Sequence, residues 1–192
     1  MKRSTNCSRS GRRGACAMEL HRTEFVRSNT GALIPVHIMG IEPHEGHMRD
    51  LVLGLKYGKN RTFARVLAQV VIEATNWNEY QCDVVTWAPT TMKHQHERGM
   101  DHAELIARHV GVLLTLPTKR LLRRVTASSQ TGLDRNQRLV SPEFVARPLG
   151  RQCNVLVIDD VVTTTATFRA AMSALINAGA LSVTCVAPSR TV

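Results

Sequence analysis

A chain of 192 residues, 43% apolar and 21% charged, has the length of one domain. It can bury on the order of 70% of its unfolded surface, so neither a disulfide scaffold nor a disordered chain is required. Lys and Arg number 25 against 15 Asp and Glu, a formal net charge of +10, which points to an anionic partner: nucleic acid, an acidic membrane surface or a phosphorylated small molecule.

Residues 1 to 30 hold seven basic residues against Glu19 and Glu24. They show no sustained periodicity and read as a basic flexible arm, with the domain proper over 31–192. No stretch approaches the roughly 18 apolar residues of a membrane span, so no membrane partner is expected. Cys7, Cys16, Cys82, Cys153 and Cys185 are odd in number and form no C-x-x-C pair, an argument against structural zinc and for a reducing, cytoplasmic setting.

Turn-rich stretches at 43–46 and 57–60 bracket Met48 to Lys56, where Leu51, Val52 and Leu55 fall at helical spacing. From Arg61, the residues Phe63, Val66, Leu67, Val70 and Val71 place one apolar stripe on a second helix. Asp83 to Pro89 reads as a strand. A helix is expected from Met100 to His109, with Asp101 and Glu104 at capping-box spacing and Gly111 placed to stop it. Val112 to Leu116, closed by Pro117, reads as another strand. A second basic segment, 119–138, holds six cations against Asp134. Asn154 to Ile158 is a continuous apolar run, expected of a strand buried on both faces. Phe168, Ala171, Met172, Leu175 and Ile176 repeat the helical spacing before Gly179, and Ser182 to Ala187 is the last strand. Strands alternating with helices make the class α/β: a central, mostly parallel sheet flanked by helices, with its ligand site beyond the carboxyl ends of the strands.

The densest signal is the run from Val155 through Asp159, Asp160, Val161, Val162, Thr163, Thr164, Thr165, Ala166 and Thr167. A buried strand meets two adjacent carboxylates and then a threonine-rich turn that opens a helix. The helix N-terminus offers unpaired amides and partial positive charge, and the hydroxyls add donors, which together suit a phosphate. The two carboxylates suit vicinal sugar hydroxyls or a divalent cation. A ribose 5-phosphate satisfies both halves, whereas an ordinary helix cap uses only one acid.

This run resembles the 5-phosphoribosyl 1-diphosphate (PRPP) motif of type I phosphoribosyltransferases. Glu45-Gly46 through Leu55-Lys56-Tyr57-Gly58, Arg98-Gly99 before Ala103 to Ala107, and Gln130-Thr131-Gly132-Leu133 with Arg138 look like the ordered landmarks of the ComF family of phosphoribosyltransferase-like competence proteins. The resemblance covers about residues 40 to 190. It implies a type I phosphoribosyltransferase fold with a mobile hood, and a phosphoribosyltransferase, a glycosyltransferase in reaction type. Asp159 and Asp160 would hold the ribose hydroxyls, directly or through Mg²⁺. Residues Val162, Thr163, Thr164, Thr165, Ala166 and Thr167 would wrap the 5-phosphate. Thr90, Thr91 and Lys93 fall in the place of the pyrophosphate loop, with Lys93 and Arg98 as the cations that stabilise departing pyrophosphate. Arg123, Arg124, Arg135 and Arg138 fall in the hood. Displacement at C1 of the ribose needs no protein nucleophile, so His94, His96 and Cys82 receive no catalytic role.

The chain departs from the family pattern in three places. Thr165 stands where the phosphate turn has Gly, the zinc ribbon of many relatives is missing, and no Asn follows the hood arginine in Leu139-Val140-Ser141-Pro142. The alternative reading is a non-catalytic accessory to DNA uptake that binds single-stranded DNA or a protein partner. Two Trp, two Tyr and four Phe offer few rings for a base-stacking groove.

Overall fold

The computed structural model describes residues 20–58, 60–91, 95–96, 99–125 and 142–191. Its first strands, β1 (Leu20–Arg27) and β2 (Leu33–Pro43), form an antiparallel pair, joined by a turn at Ser28–Ala32. Two helices follow, α1 (Gly46–Lys56) and α2 (Thr62–Glu73), then β3 (Val84–Trp87) and α3 (His102–Leu114). Strands β4 (Leu122–Val125) and β5 (Glu143–Ala146) pair with each other as a small antiparallel sheet. The chain closes with β6 (Asn154–Ile158), the two-residue β7 (Val161–Val162), α4 (Ala166–Asn177) and β8 (Ser182–Arg190).

The main sheet runs in the order β1-β2-β8-β6-β3, with β7 beside the end of β8. Every pairing except β1 with β2 is parallel, so the architecture is a mixed α/β sandwich around a mostly parallel sheet. The apolar run of β6 shows why both faces are covered. Val155 and Val157 pack with Phe168, Met172 and Leu175 of α4, while Leu156 and Ile158 pack with α1, α2 and α3. A strand buried on both sides needs no polar alternation, and none of these four residues exceeds 1% exposure.

Three expectations are corrected. Residues 20–27, read as part of the arm, are an edge strand. Glu24 Oε1 accepts a charged hydrogen bond from Arg169 Nη2 of α4 at 3.0 Å, which ties that strand to the body. Of the rest of the expected arm, residues 28–30 belong to the turn after that strand, and residues 1–19 lie outside the described residues. The second correction concerns Val112–Leu116, which is not a strand. Helix α3 continues through it to Leu114, leaving Val112 and Leu113 exposed, and ends at Thr115 with φ 58°. The last strand also runs three residues beyond Ala187, to Arg190.

Gly111 therefore does not stop its helix; it lets the chain return. A Cβ there would clash with Thr118 Oγ1 and meet Leu116 O at 3.0 Å, and residues 117–119 go on to bond the edge of β3, with Lys119 N donating to Val85 O at 2.9 Å. Helix propensity alone would make Gly111→Ala stabilising by about 1 kcal/mol. Overpacking outweighs that here, and chemical denaturation is expected to show a net loss of about 1–3 kcal/mol. A gain would mean that the 116–118 segment can shift freely.

Candidate ligand site

Parallel strands β3 and β6 end side by side, and their carboxyl ends set the site. Ala88 N donates to Ile158 O at 2.9 Å and Asp159 N to Val186 O at 3.1 Å, continuing the ladder for one residue beyond each strand. Asp159 and Asp160 are thus fixed at the sheet's mouth by backbone bonds. Asp160 N donates to Asp159 Oδ1 at 2.8 Å, and Lys56 Nζ, in the last turn of α1, lies 2.9 Å from Asp160 Oδ1.

A cavity of about 140 Å³ opens here, lined by Lys56, Thr90, Asp101, Arg124, the two aspartates and Thr167, among others. Four separate pieces of chain meet in it: the end of α1, the loop after β3 with the start of α3, strand β4, and the β6–α4 turn. Arg124 also lies over the Phe144 ring, its guanidinium carbon 5.7 Å from the centroid. Among the described residues Arg124 has no carboxylate partner, and stacking of this kind suits its planar cation.

The carboxylates are electrostatically crowded. Burial first, and then Asp160, pushes the Asp159 carboxyl well above the usual carboxylate range, against the pull of the Asp160 amide and Lys56. Burial likewise raises Asp101, against the pull of the Thr90 and Glu104 amides. Thr90 N donates to Asp101 Oδ2 at 3.1 Å, while Oδ1 is buried without a hydrogen bond. The expected capping box is therefore not made. Asp101 occupies the N-cap position without a well-formed side-chain cap bond; the Glu104 amide still lies close enough to pull on its carboxyl, while the hydrogen bond it makes is with Thr90 of the loop after β3. Glu104 instead accepts from Arg108 at 2.6 Å.

The threonine turn lies next to this cavity. Its first residues form β7, where Val162 pairs with Arg190, and Thr191 N donates to Val162 O at 3.0 Å. Thr165 takes the N-cap position of α4 at φ 3°, ψ 0°; it makes no side-chain cap bond, and no acid stands in the helix's first turn. Ala166 N is taken by Thr164 O, and the Thr167 and Phe168 amides of the first turn are left for an outside acceptor. The depression within the turn, lined by Asp159, Val162, Thr163, Thr164, Thr165 and Thr167, is only about 10 Å³, room for one water. A phosphate needs these side chains to rotate, and Thr163 and Thr164 are exposed enough to do so.

Of the residues picked out from the sequence, Thr90, Arg124, Asp159, Asp160 and Thr167 come together in the first cavity. Thr91 follows Thr90 without lining it, and Ala166 is the first residue of α4 behind the turn. Arg123 alternates with Arg124 on β4 and is exposed. Lys93, Arg98, Arg135 and Arg138 lie outside the described residues. Lys56 and Asp101 are additions. Lys56 stands in the Leu55–Gly58 landmark and Asp101 at a cap position, but neither pattern assigns a place in the site, because α1 and α3 reach it only through tertiary packing.

Comparison with protein-family models and with curated proteins gives no match. Among solved structures, the chain is similar to a purine phosphoribosyltransferase from Pyrococcus horikoshii Ot3, with a TM-score of 0.37 and 16% identity over 66% of this chain and 84% of that one. A likeness so distant carries no weight for fold or function; the residues of the site must carry the reading. Among the described residues no helix is long and apolar enough to cross a membrane.

Proposed function

We propose that the chain binds PRPP with Mg²⁺ at the carboxyl ends of β3 and β6, and transfers the phosphoribosyl group to an acceptor with release of pyrophosphate, as a phosphoribosyltransferase-like protein of the ComF type. One observation carries the reading: the paired carboxylates of Asp159 and Asp160 share a cavity with Thr167, next to an uncapped helix N-terminus rimmed by hydroxyls. Sugar hydroxyls donate to the first half, and a phosphate accepts from the second.

The donor set fits Mg²⁺. Asp159, Asp160 and Asp101 supply hard carboxylate oxygens at one cavity, and Asp101 Oδ1 is unbonded. Mg²⁺ commonly takes one or two carboxylates and completes its shell from phosphate oxygens and water, a role these side chains could fill. When bound, Mg²⁺ supplies positive charge against the diphosphate.

The remaining work belongs to the chain. Asp159 and Asp160 orient the ribose, the turn holds the 5-phosphate, and the loop from Ala88 to Thr91 faces the leaving group, with Lys93 and Arg98 as its cations. Arg124 adds charge from β4. Each charge-assisted hydrogen bond contributes roughly 1.5–3 kcal/mol, so a few of them decide affinity.

Millimolar PRPP with Mg²⁺ is expected to raise the melting temperature. At a hundredfold excess over Kd the linkage is about 2.7 kcal/mol, or roughly 5–11 °C for a domain of this size. An unchanged melting curve, with oligonucleotide binding that falls steeply with salt, would instead favour the nucleic-acid reading. Thr165→Gly tests the turn. If the Thr165 side chain crowds the phosphate, the variant binds PRPP up to about tenfold more tightly, ~1.4 kcal/mol; weaker binding would show that the Thr165 hydroxyl is itself a donor.

A further inference from the structure

At the opposite end of the sheet, where β3 and β6 begin, lies a second and larger cavity of about 480 Å³. Cys153, just before β6, lines it, while Asp159 stands just after β6. A strand rise of ~3.3 Å per residue puts the two cavities roughly 20 Å apart. Lys119, Arg120, Arg147 and Arg151 all line the second one.

Among the described residues none of these four cations pairs with a carboxylate. The one acid in the lining, Asp83, is already engaged, its Oδ2 accepting from Asn154 N at 2.8 Å. Burial and then the Asp83 carboxylate push the Cys153 thiol up, while Arg151 and Lys119 pull against them, so both cations lie close to the same floor. Leu121 and Leu149 give the cavity an apolar part as well. Four cations against one carboxylate leave the hollow with an excess of positive charge, and an anion relieves it. The volume falls in the range of small-molecule sites.

We infer that this cavity is a second ligand site, for a phosphorylated small molecule of nucleotide size carrying at least two negative charges, separate from the PRPP site proposed above. The cations take its phosphates, and the leucines cover its less polar part. The reading does not depend on PRPP binding, since no residue is common to the two cavities.

Calorimetry on the full chain tests it, with ATP, pyrophosphate, adenosine and a dT20 oligonucleotide as probes. ATP is expected to bind the wild type and the Asp159→Asn/Asp160→Asn variant alike, more tightly than pyrophosphate, while adenosine gives no heat. Arg120→Glu/Arg151→Glu should weaken ATP at least tenfold with no loss in melting temperature, because both side chains are exposed and their reversal relieves repulsion. The proposal is overturned if ATP does not bind, if binding ignores the Arg120→Glu/Arg151→Glu change, or if it is lost with the aspartates. It is equally overturned if only dT20 binds through these arginines, which would make the surface a nucleic-acid contact.

Discussion

Asp159→Asn is expected to raise the melting temperature of the ligand-free protein while abolishing its response to PRPP and Mg²⁺. The two effects share one cause. Asp159 is held where its charge is costly, first by burial and then by Asp160. A carboxyl whose folded pKa lies above its unfolded value binds more protons folded than unfolded between the two, so its stability contribution falls as pH rises through that window. Above the folded pKa, the full cost of the charged group is present. Asn keeps an oxygen to accept the Asp160 amide and removes the charge, which should return on the order of 1–2 kcal/mol, or roughly 2–8 °C. In EDTA, the difference between wild type and variant should shrink as pH falls toward the ordinary carboxylate range. A residue that costs stability at the mouth of a strand and is needed for a ligand fits the usual trade between function and stability. A variant less stable than wild type at neutral pH would show that the carboxylate is structural.

Lys56→Ala should act in the opposite direction. Lys56 Nζ meets Asp160 at 2.9 Å, with both side chains mostly covered at 20% and 15% exposure. Its removal leaves Asp159, Asp160 and Asp101 around one cavity with less compensating charge, and a loss of about 1–3 kcal/mol is expected in EDTA. Mg²⁺ then has more repulsion to relieve, so the variant should gain more from added Mg²⁺ than wild type does. Denaturation curves with and without Mg²⁺ measure this directly. Equal stability in EDTA would make the pair an ordinary surface contact; an equal gain from Mg²⁺ would place the ion elsewhere.

How far these features could be read from the sequence depended on how local their causes are. The β6 run, the α2 stripe and the turn into α4 are written in consecutive residues, and the structure places them where periodicity puts them. Strand β1 was hidden because it lies at a sheet edge and most of its side chains are exposed, which leaves no apolar alternation to detect. Val112–Leu116 misled for the converse reason. Its branched and leucine-rich composition suits a strand, yet it finishes a helix whose end is fixed by the close approach of Thr118 to Gly111. Within the site, the acidic pair and the threonines were legible as a motif. Lys56 and Asp101 were not, since only the packing of α1 and α3 against the sheet brings them to it.

Isothermal titration of the full chain with PRPP, in the presence and absence of Mg²⁺, bears most directly on whether this sheet end grips a phosphorylated sugar. One Mg²⁺-dependent binding event per chain is expected, and the Asp159→Asn/Asp160→Asn variant should lose it. No heat at millimolar PRPP and Mg²⁺, or heat that persists unchanged in the double variant, would contradict the assignment.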